Sequence, residues 1–170
     1  MLKKEVAKLL NEQINKEFYS AYLYLDMSNY YDHKNLNGFS NWFKVQAQEE
    51  RDHALLFITY LQNNNEEIKL TPIGGPDKNY SDFKAPLTAA LEHEQFVTAS
   101  IYNIYEEASS QKDFRTQQFL NWFITEQGEE EKNTEDLIDR YDLFGNDAKS
   151  LYLLDAELAA RIYTPPTLVI

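Results

Sequence analysis

Apolar positions recur along most of this chain at steps of three and four, the spacing of one face of an α-helix. From about Lys3 to Asp32 the recurring positions are Leu10, Ile14, Glu17, Ala21, Tyr24, Ser28 and Tyr31. From about Leu36 to Gln62 they are Phe39, Phe43, Gln46, Glu50, His53, Phe57 and Tyr60. A third stretch, from about Asp82 to Ser109, follows Leu87, Leu91, Glu94, Thr98, Ile101 and Tyr105. Ser81 is its expected N-cap, and Pro86 falls in its first turn, where proline is best tolerated. A fourth, from about Asp113 to Leu143, follows Phe119, Phe123, Glu126, Glu130, Asn133 and Leu137 and is expected to stop at Gly145. A shorter fifth, from about Asp147 to Ile162, ends ahead of Pro165-Pro166. Each of the first four would be ~40 Å long at ~1.5 Å per residue. Four such rods predict an all-α fold: a four-helix bundle with a short fifth, C-terminal helix.

The connections set the topology. His33 to Gly38 is a short turn, with Asn35 or Asn37 as the expected N-cap of the second helix, and a similarly short turn joins the third and fourth. Each pair is then an antiparallel hairpin. The link from Asn63 to Ser81, with Gly74-Gly75-Pro76, is too long for a turn. It is expected to run the length of the bundle, leaving the second and third helices parallel. Residues 1–170 thus read as one domain: a bundle over about 3–143, a fifth helix over about 147–162 and a tail over 163–170.

Composition narrows the chemistry. With 170 residues the chain can bury a core without crosslinks, and with no cysteine it has no disulfides, thiolate metal sites or thiol catalysis. Asp and Glu number 28 against 16 Lys and Arg, a net charge of −12. That balance repels nucleic-acid phosphates and anionic membranes, attracts cations, and also serves plain solubility. The first residues resemble a basic leader only until Glu5, Lys8, Asn11 and Glu12 break the apolar run. No stretch approaches the ~20 apolar residues of a membrane span. A cytoplasmic protein with neither nucleic-acid nor membrane partners is expected.

The stripes carry an anomaly. Each should be apolar, yet each has a carboxylate near its middle: Glu17, Glu50 with His53, Glu94, and Glu126 with Glu130. Buried carboxylates facing one another need protonation, a buried cation or bound metal. No Lys or Arg lies on those stripes, so metal is the simplest solution. Glu50 and His53 are i and i+3 and share a helix face, although alone this spacing more often just faces solvent. What gives it weight is coincidence of depth with Glu17, with Glu94, and with Glu126, Gln127, Glu129 and Glu130 on the fourth helix. Di-iron bundles place one Glu on each of two helices and Glu-x-x-His on each of the others. The fourth helix departs from that scheme, with Gln127-Gly128-Glu129-Glu130 and no histidine.

At these residues the chain resembles the non-haem bacterial ferritins. Glu17-Phe18-Tyr19-Ser20, Gln48-Glu49-Glu50-Arg51-Asp52-His53 and Trp122 to Lys132 are similar to the family's helix motifs, and the resemblance spans nearly the whole chain. It implies a hollow shell of 24 subunits that oxidises ferrous iron, with O2 or H2O2, and stores ferric mineral. It implies Glu17, Glu50 and His53 as ligands of a first iron, with Glu50 bridging to a second held by Glu94 and Glu130. Gln127 would be a polar neighbour of the second iron. Glu49, Glu126 and Glu129 would form a third, nearby iron site that shares Glu130. Tyr24 and Trp122 match aromatic residues close to the centre. Tyr24, two turns from Glu17, is a candidate electron donor, with core packing as the plainer role for both rings. The haem-binding branch needs a methionine on the second helix. Only Met1 and Met27 are present, so no haem is expected. DNA-protecting mini-ferritins, which lack a fifth helix and bind iron between subunits, do not fit.

Two other readings share these residues: a non-storage di-iron oxidase or peroxidase that needs no shell, and a helical interaction module whose carboxylates are structural. Among the remaining polar residues, His33 is expected at a surface helix end, His93 in packing beside the site, and Glu131 on a solvated face. Gly128 inside a helix costs ~1 kcal/mol relative to Ala, for no reason visible in the sequence.

Overall fold

The computed structural model describes residues 2–170. It contains five helices, α1 (Lys4–His33), α2 (Asn37–Asn63), α3 (Ala85–Ser110), α4 (Phe114–Phe144) and α5 (Ala148–Leu158), and no strand among the described residues. α1 and α2 form one antiparallel hairpin and α3 and α4 the other. The segment between α2 and α3 runs along α1 as expected. Asn11 Nδ2 donates to the Glu67 carbonyl (3.2 Å) and Asn15 Nδ2 to the Pro72 carbonyl (3.0 Å). Further along, the Tyr80 hydroxyl reaches Asp26 (3.3 Å). α2 and α3 are therefore parallel.

Helix ends show which local signals prevailed. α1, α2 and α3 are each followed by a residue in the left-handed region: Asn35 (φ 60°), Asn65 (φ 57°) and Lys112 (φ 55°). Backbone groups freed at the helix ends bond back to the last turn, as Leu36 N does to the Tyr31 carbonyl (3.0 Å). Gly145 ends α4 with an ordinary right-handed φ of −74°. Its lack of a side chain serves a close approach, since a Cβ there would lie 2.6 Å from the Tyr141 ring. α3 starts at Ala85 rather than Asp82. Asp82, not Ser81, supplies the cap, its carboxylate accepting from Lys84 N and Ala85 N (both 2.9 Å). Neither Asn35 nor Asn37 caps α2. That cap comes from α5, 117 residues away in sequence from Gly38, where Asp155 Oδ1 accepts from Gly38 N (2.8 Å) and Phe39 N (3.0 Å). α5 stops at Leu158, four residues short of the expected Ile162, which frees Arg161 to turn back toward α2.

The stripes pack into two apolar cores, one toward each end of the bundle. One gathers Leu10, Ile14, Phe57, Ile101, Leu120 and Phe123, and the other Tyr24, Met27, Tyr31, Phe39, Phe43 and Leu87. α5 adds Leu154 and Leu158 to the second. α1 and α2 bury every stripe residue expected of them. On α3 and α4 the buried face is rotated slightly. Val97 and Ile104 are buried while Thr98 and Tyr105 are only half-buried, and Gln127 and Thr134 are buried while Asn133 is exposed. That rotation places Gln127 at the centre of the α4 face and Glu126 at its edge.

Candidate metal centre

Between the two cores lies a layer of polar side chains with almost no access to solvent. Glu17, Glu50, His53 and Glu94 are each 1% exposed, Gln127 2% and Glu130 7%. α1, α2, α3 and α4 contribute Glu17, Glu50 with His53, Glu94, and Gln127 with Glu130, respectively. One ligand atom from each of Glu17, Glu50 and His53 falls within 4.8 Å of the others, and the same holds for Glu50, Glu94 and Glu130. Glu50 belongs to both groups, the geometry of a bridging carboxylate. A third such group is His53, Glu126 and Glu130.

Amide side chains orient the acids. Gln13 Nε2 donates to Glu17 Oε1 (2.8 Å), and Gln46 Nε2 donates to both Glu50 Oε1 (3.1 Å) and Glu130 Oε1 (2.9 Å). Gln127 Nε2 donates to Glu94 Oε2 (3.1 Å), and the buried Tyr24 hydroxyl donates to Glu94 Oε1. Both Glu94 oxygens accept in this way, whereas on Glu17 and Glu130 one oxygen is held and the other is left without a partner. Glu17 Oε2, Glu130 Oε2 and His53 Nδ1 are buried without any hydrogen-bond partner. Such orphans are costly in a folded protein unless something binds them. Three of them converging on a space walled by carboxylates and one imidazole suit a pair of divalent or trivalent cations such as iron.

Titration behaviour follows from the crowding. Burial first, then Glu94 and Glu17, hold the Glu50 carboxyl well above the ordinary range, and burial with Glu50 and Glu94 does the same to Glu130. Burial also raises Glu17, and raises Glu94 to about 6. For His53, burial opposes the charge, but Glu130, Glu17, Glu126 and Glu94 together outweigh it and raise its pKa. Acids with raised folded-state pKa hold protons that the unfolded chain gives up. Their contribution falls as pH rises from the unfolded value, ~4.3 for Glu, through the folded one. A raised His53 adds stability that is also lost as pH rises. The metal-free protein is therefore expected to melt at a lower temperature at pH 7.5 than at pH 5.5. Zn2+ should abolish most of that difference by replacing the protons. Melting curves at both pH values, with and without Zn2+, check this.

The residues expected around a third site are less tightly drawn together. Glu126 is half-buried and Glu129 exposed. Glu49, Glu126 and Glu129 line a cavity of about 450 Å³ with His53 and Trp122, but Glu49 and Glu129 join none of the three close groups. Glu49 is instead held by Arg161 Nη2 (2.6 Å). Burial outweighs this pairing, leaving the Glu49 carboxyl raised and Arg161 lowered. Trp122 packs edge-on against His53 with ring centres 5.5 Å apart. His93 bonds Ser20 Oγ (2.7 Å) beside the Tyr19 and Tyr24 rings, and burial lowers its pKa to about 4, a packing role as expected. Glu131, expected on a solvated face, is half-buried and accepts from Thr98, so Glu129 is the exposed member of the run.

Sequence reasoning passed over Gln13, Gln46 and Arg161. The first two had a signal: each precedes a buried Glu by four residues, one helical turn, in the same Gln-x-x-x-Glu pattern on α1 and α2. Arg161 had none, because 112 residues separate it from Glu49. Gly128 has a simple structural description. A Cβ there would meet nothing within 4 Å in the chain. Gly128→Ala is expected to stabilise the protein by ~0.5–1 kcal/mol, measured by denaturant unfolding of wild type and variant.

Comparison with known proteins assigns the family. A ferritin-like domain model matches residues 7–144. A bacterial non-haem ferritin of Campylobacter jejuni is 41% identical over 155 residues, covering 91% of this chain and 93% of that protein. One from Staphylococcus saprophyticus is 40% identical over 163 residues, covering 96% and 98%. Among solved structures, the engineered closed form of the Archaeoglobus fulgidus ferritin superposes with a TM-score of 0.94 at 40% identity, covering 96% of this chain and all of that one. The open-pore ferritin of the same archaeon gives 0.92 at 39% identity, covering 95% and 98%. The chain belongs to the ferritin-like family. The two curated relatives named above are bacterial non-haem ferritins.

Proposed function

We propose that the protein is an iron-storing ferroxidase that oxidises Fe(II) at a two-iron centre inside each subunit and retains the ferric product within a closed shell of 24 copies. Glu17, Glu50 and His53 bind the first iron and Glu50, Glu94 and Glu130 the second. The observation that carries this reading is the convergence of three orphaned buried ligand atoms on carboxylates from all four helices of the bundle. Iron is the substrate here. Two Fe(II) each give one electron to O2, which takes up two protons and leaves as H2O2. With peroxide as oxidant, the same two electrons and two protons yield two waters. Anionic ligands favour the ferric product, so that product must leave for turnover to continue. Glu49, Glu126 and Glu129, with Glu130, supply a third site on the way out. Tyr24, which donates a hydrogen bond to Glu94, is the proposed donor of an electron to a radical oxidant formed at the centre, not part of the two-electron step itself.

Exposed apolar side chains support assembly. Leu143 (74% exposed), Tyr152 (71%) and Leu153 (59%) lie on and beside α5, with Phe114 (70%) at the other end of α4. A contiguous exposed apolar patch marks an interaction surface. Sedimentation after aerobic loading with excess Fe(II) tests the reading against a non-storage oxidase. A shell-sized particle carrying far more than three irons per chain is expected. A monomer or dimer that oxidises iron and releases it would favour the oxidase.

A further inference from the structure

Arg161 lies three residues beyond α5 and reaches into the groove between α2 and α4. Its guanidinium stacks over the Trp42 ring (4.5 Å) and donates to the Trp42 carbonyl (3.1 Å), Gln46 Oε1 (2.9 Å) and Glu49 Oε2 (2.6 Å). It is the cation that the helix stripes lacked. Gln46 in turn holds Glu50 and Glu130, so one guanidinium touches a third-site carboxylate directly and two centre carboxylates through a single amide. The following residues, Thr164 to Thr167, form the roof of the cavity lined by Glu49, Glu126 and Glu129. They are tied down by Tyr163 to Asp52 and by Trp122 Nε1 to Thr167 Oγ1 (3.4 Å).

We propose that Arg161 is a built-in competitor for the third iron site, a fixed positive charge that shares the Glu49 carboxylate and keeps that site's affinity for cations low. The inference rests on the third-site reading given above. A transit site must release its ion, and four carboxylates without a counter-charge would hold a trivalent ion strongly. A guanidinium suits the task because it stays charged and bonds in a fixed plane. Its position on Glu49 places one unit charge beside an incoming cation in a half-buried setting, where charges interact more strongly than in water. Side-chain exposures of 23% for Arg161 and 20% for Glu49 fit that setting. Arg161 acts here as a positioning residue through Glu49, not as a ligand.

Anaerobic Zn2+ titration by calorimetry tests this on the assembled protein, with the two tighter sites as an internal control of folding. Arg161→Gln is expected to raise affinity at the third site about tenfold, a larger change than at the first two sites, which Arg161 reaches only through Gln46, whereas Arg161→Lys, which keeps the charge, stays within about threefold of wild type. Adding Glu129→Ala to Arg161→Gln should remove the gain. An equal rise in Arg161→Gln and Arg161→Lys would overturn the proposal, because loosening of the tail rather than loss of charge would then be the cause. An unchanged third site in Arg161→Gln would also overturn it, while leaving the third site itself intact. Absence of third-site binding in every variant would remove the third-site reading, and this inference with it.

Discussion

Glu50→Ala is expected to slow the initial phase of Fe(II) oxidation at least ~100-fold without unfolding the bundle. Removing residues that merely support a metal ligand already costs ~10–100-fold, and Glu50 belongs to both close ligand groups. Its loss disrupts the first and second iron positions together. Folding is expected to survive because the carboxylate is a burden in the metal-free protein. It is 1% exposed, and burial with Glu94 and Glu17 raises its pKa. Its departure leaves Gln46 Nε2 bonded to Glu130. Stopped-flow absorbance gives the rate, and thermal melting of metal-free wild type and variant gives the stability. A melting temperature equal to or above that of wild type, together with the lost fast phase, is the expected pair of results. An unchanged initial rate would remove Glu50 from the centre.

Gly38→Ala is expected to release α5 and prevent shell assembly. A Cβ at Gly38 would lie 1.6 Å from the Asp155 carbonyl oxygen and 2.5 Å from its carbon, both backbone atoms that no rotamer change can move. Relief requires α5 to back away. That breaks the bonds from Gly38 N and Phe39 N to Asp155 and withdraws Leu154 and Leu158 from the core. Overpacking alone costs ~1–3 kcal/mol and loss of a helix cap ~1 kcal/mol more. The four long helices bury their own cores and should persist. Sedimentation velocity is expected to show small species in place of the shell, while circular dichroism loses no more than the 11-residue α5. A shell of normal size would show that α5 docking is dispensable for assembly.

Both variants mark a boundary in what the sequence discloses. Glu17, Glu50, His53, Glu94 and Glu130 were legible because each interrupts an apolar stripe of known period, and a stripe fixes which face is buried. α1 and α2 were read residue by residue, since neither carries a breaker between Gly38 and Asn63 or between Lys4 and His33. α3 and α4 have more mixed faces: Leu87, Glu94, Ile101, Phe119, Phe123, Glu130 and Leu137 are buried as expected, but Thr98, Tyr105, Glu126 and Asn133 each lie one position from the buried residue. Periodicity therefore put Glu126 rather than Gln127 on the stripe; Gln127 was legible by its depth, and its place beside the second iron by the family resemblance. The Asp155 cap, the Gly38 contact and the Arg161 bonds were not legible. Each joins residues more than 100 positions apart, and no local pattern encodes such a meeting. The shortness of α5 belongs with them, because it is the Arg161 contacts beyond Leu158 that give its last turn an alternative to helix.

The most direct test of the central claim is to load metal-free protein anaerobically with increasing Fe(II), admit O2, and follow the ferric absorbance by stopped flow. A fast phase whose amplitude saturates at about two to three irons per chain, and which Glu50→Ala abolishes, is what the carboxylate layer predicts. Oxidation no faster than in buffer, at any ratio of iron to chain, would contradict it and leave the buried acids as a structural feature of the bundle.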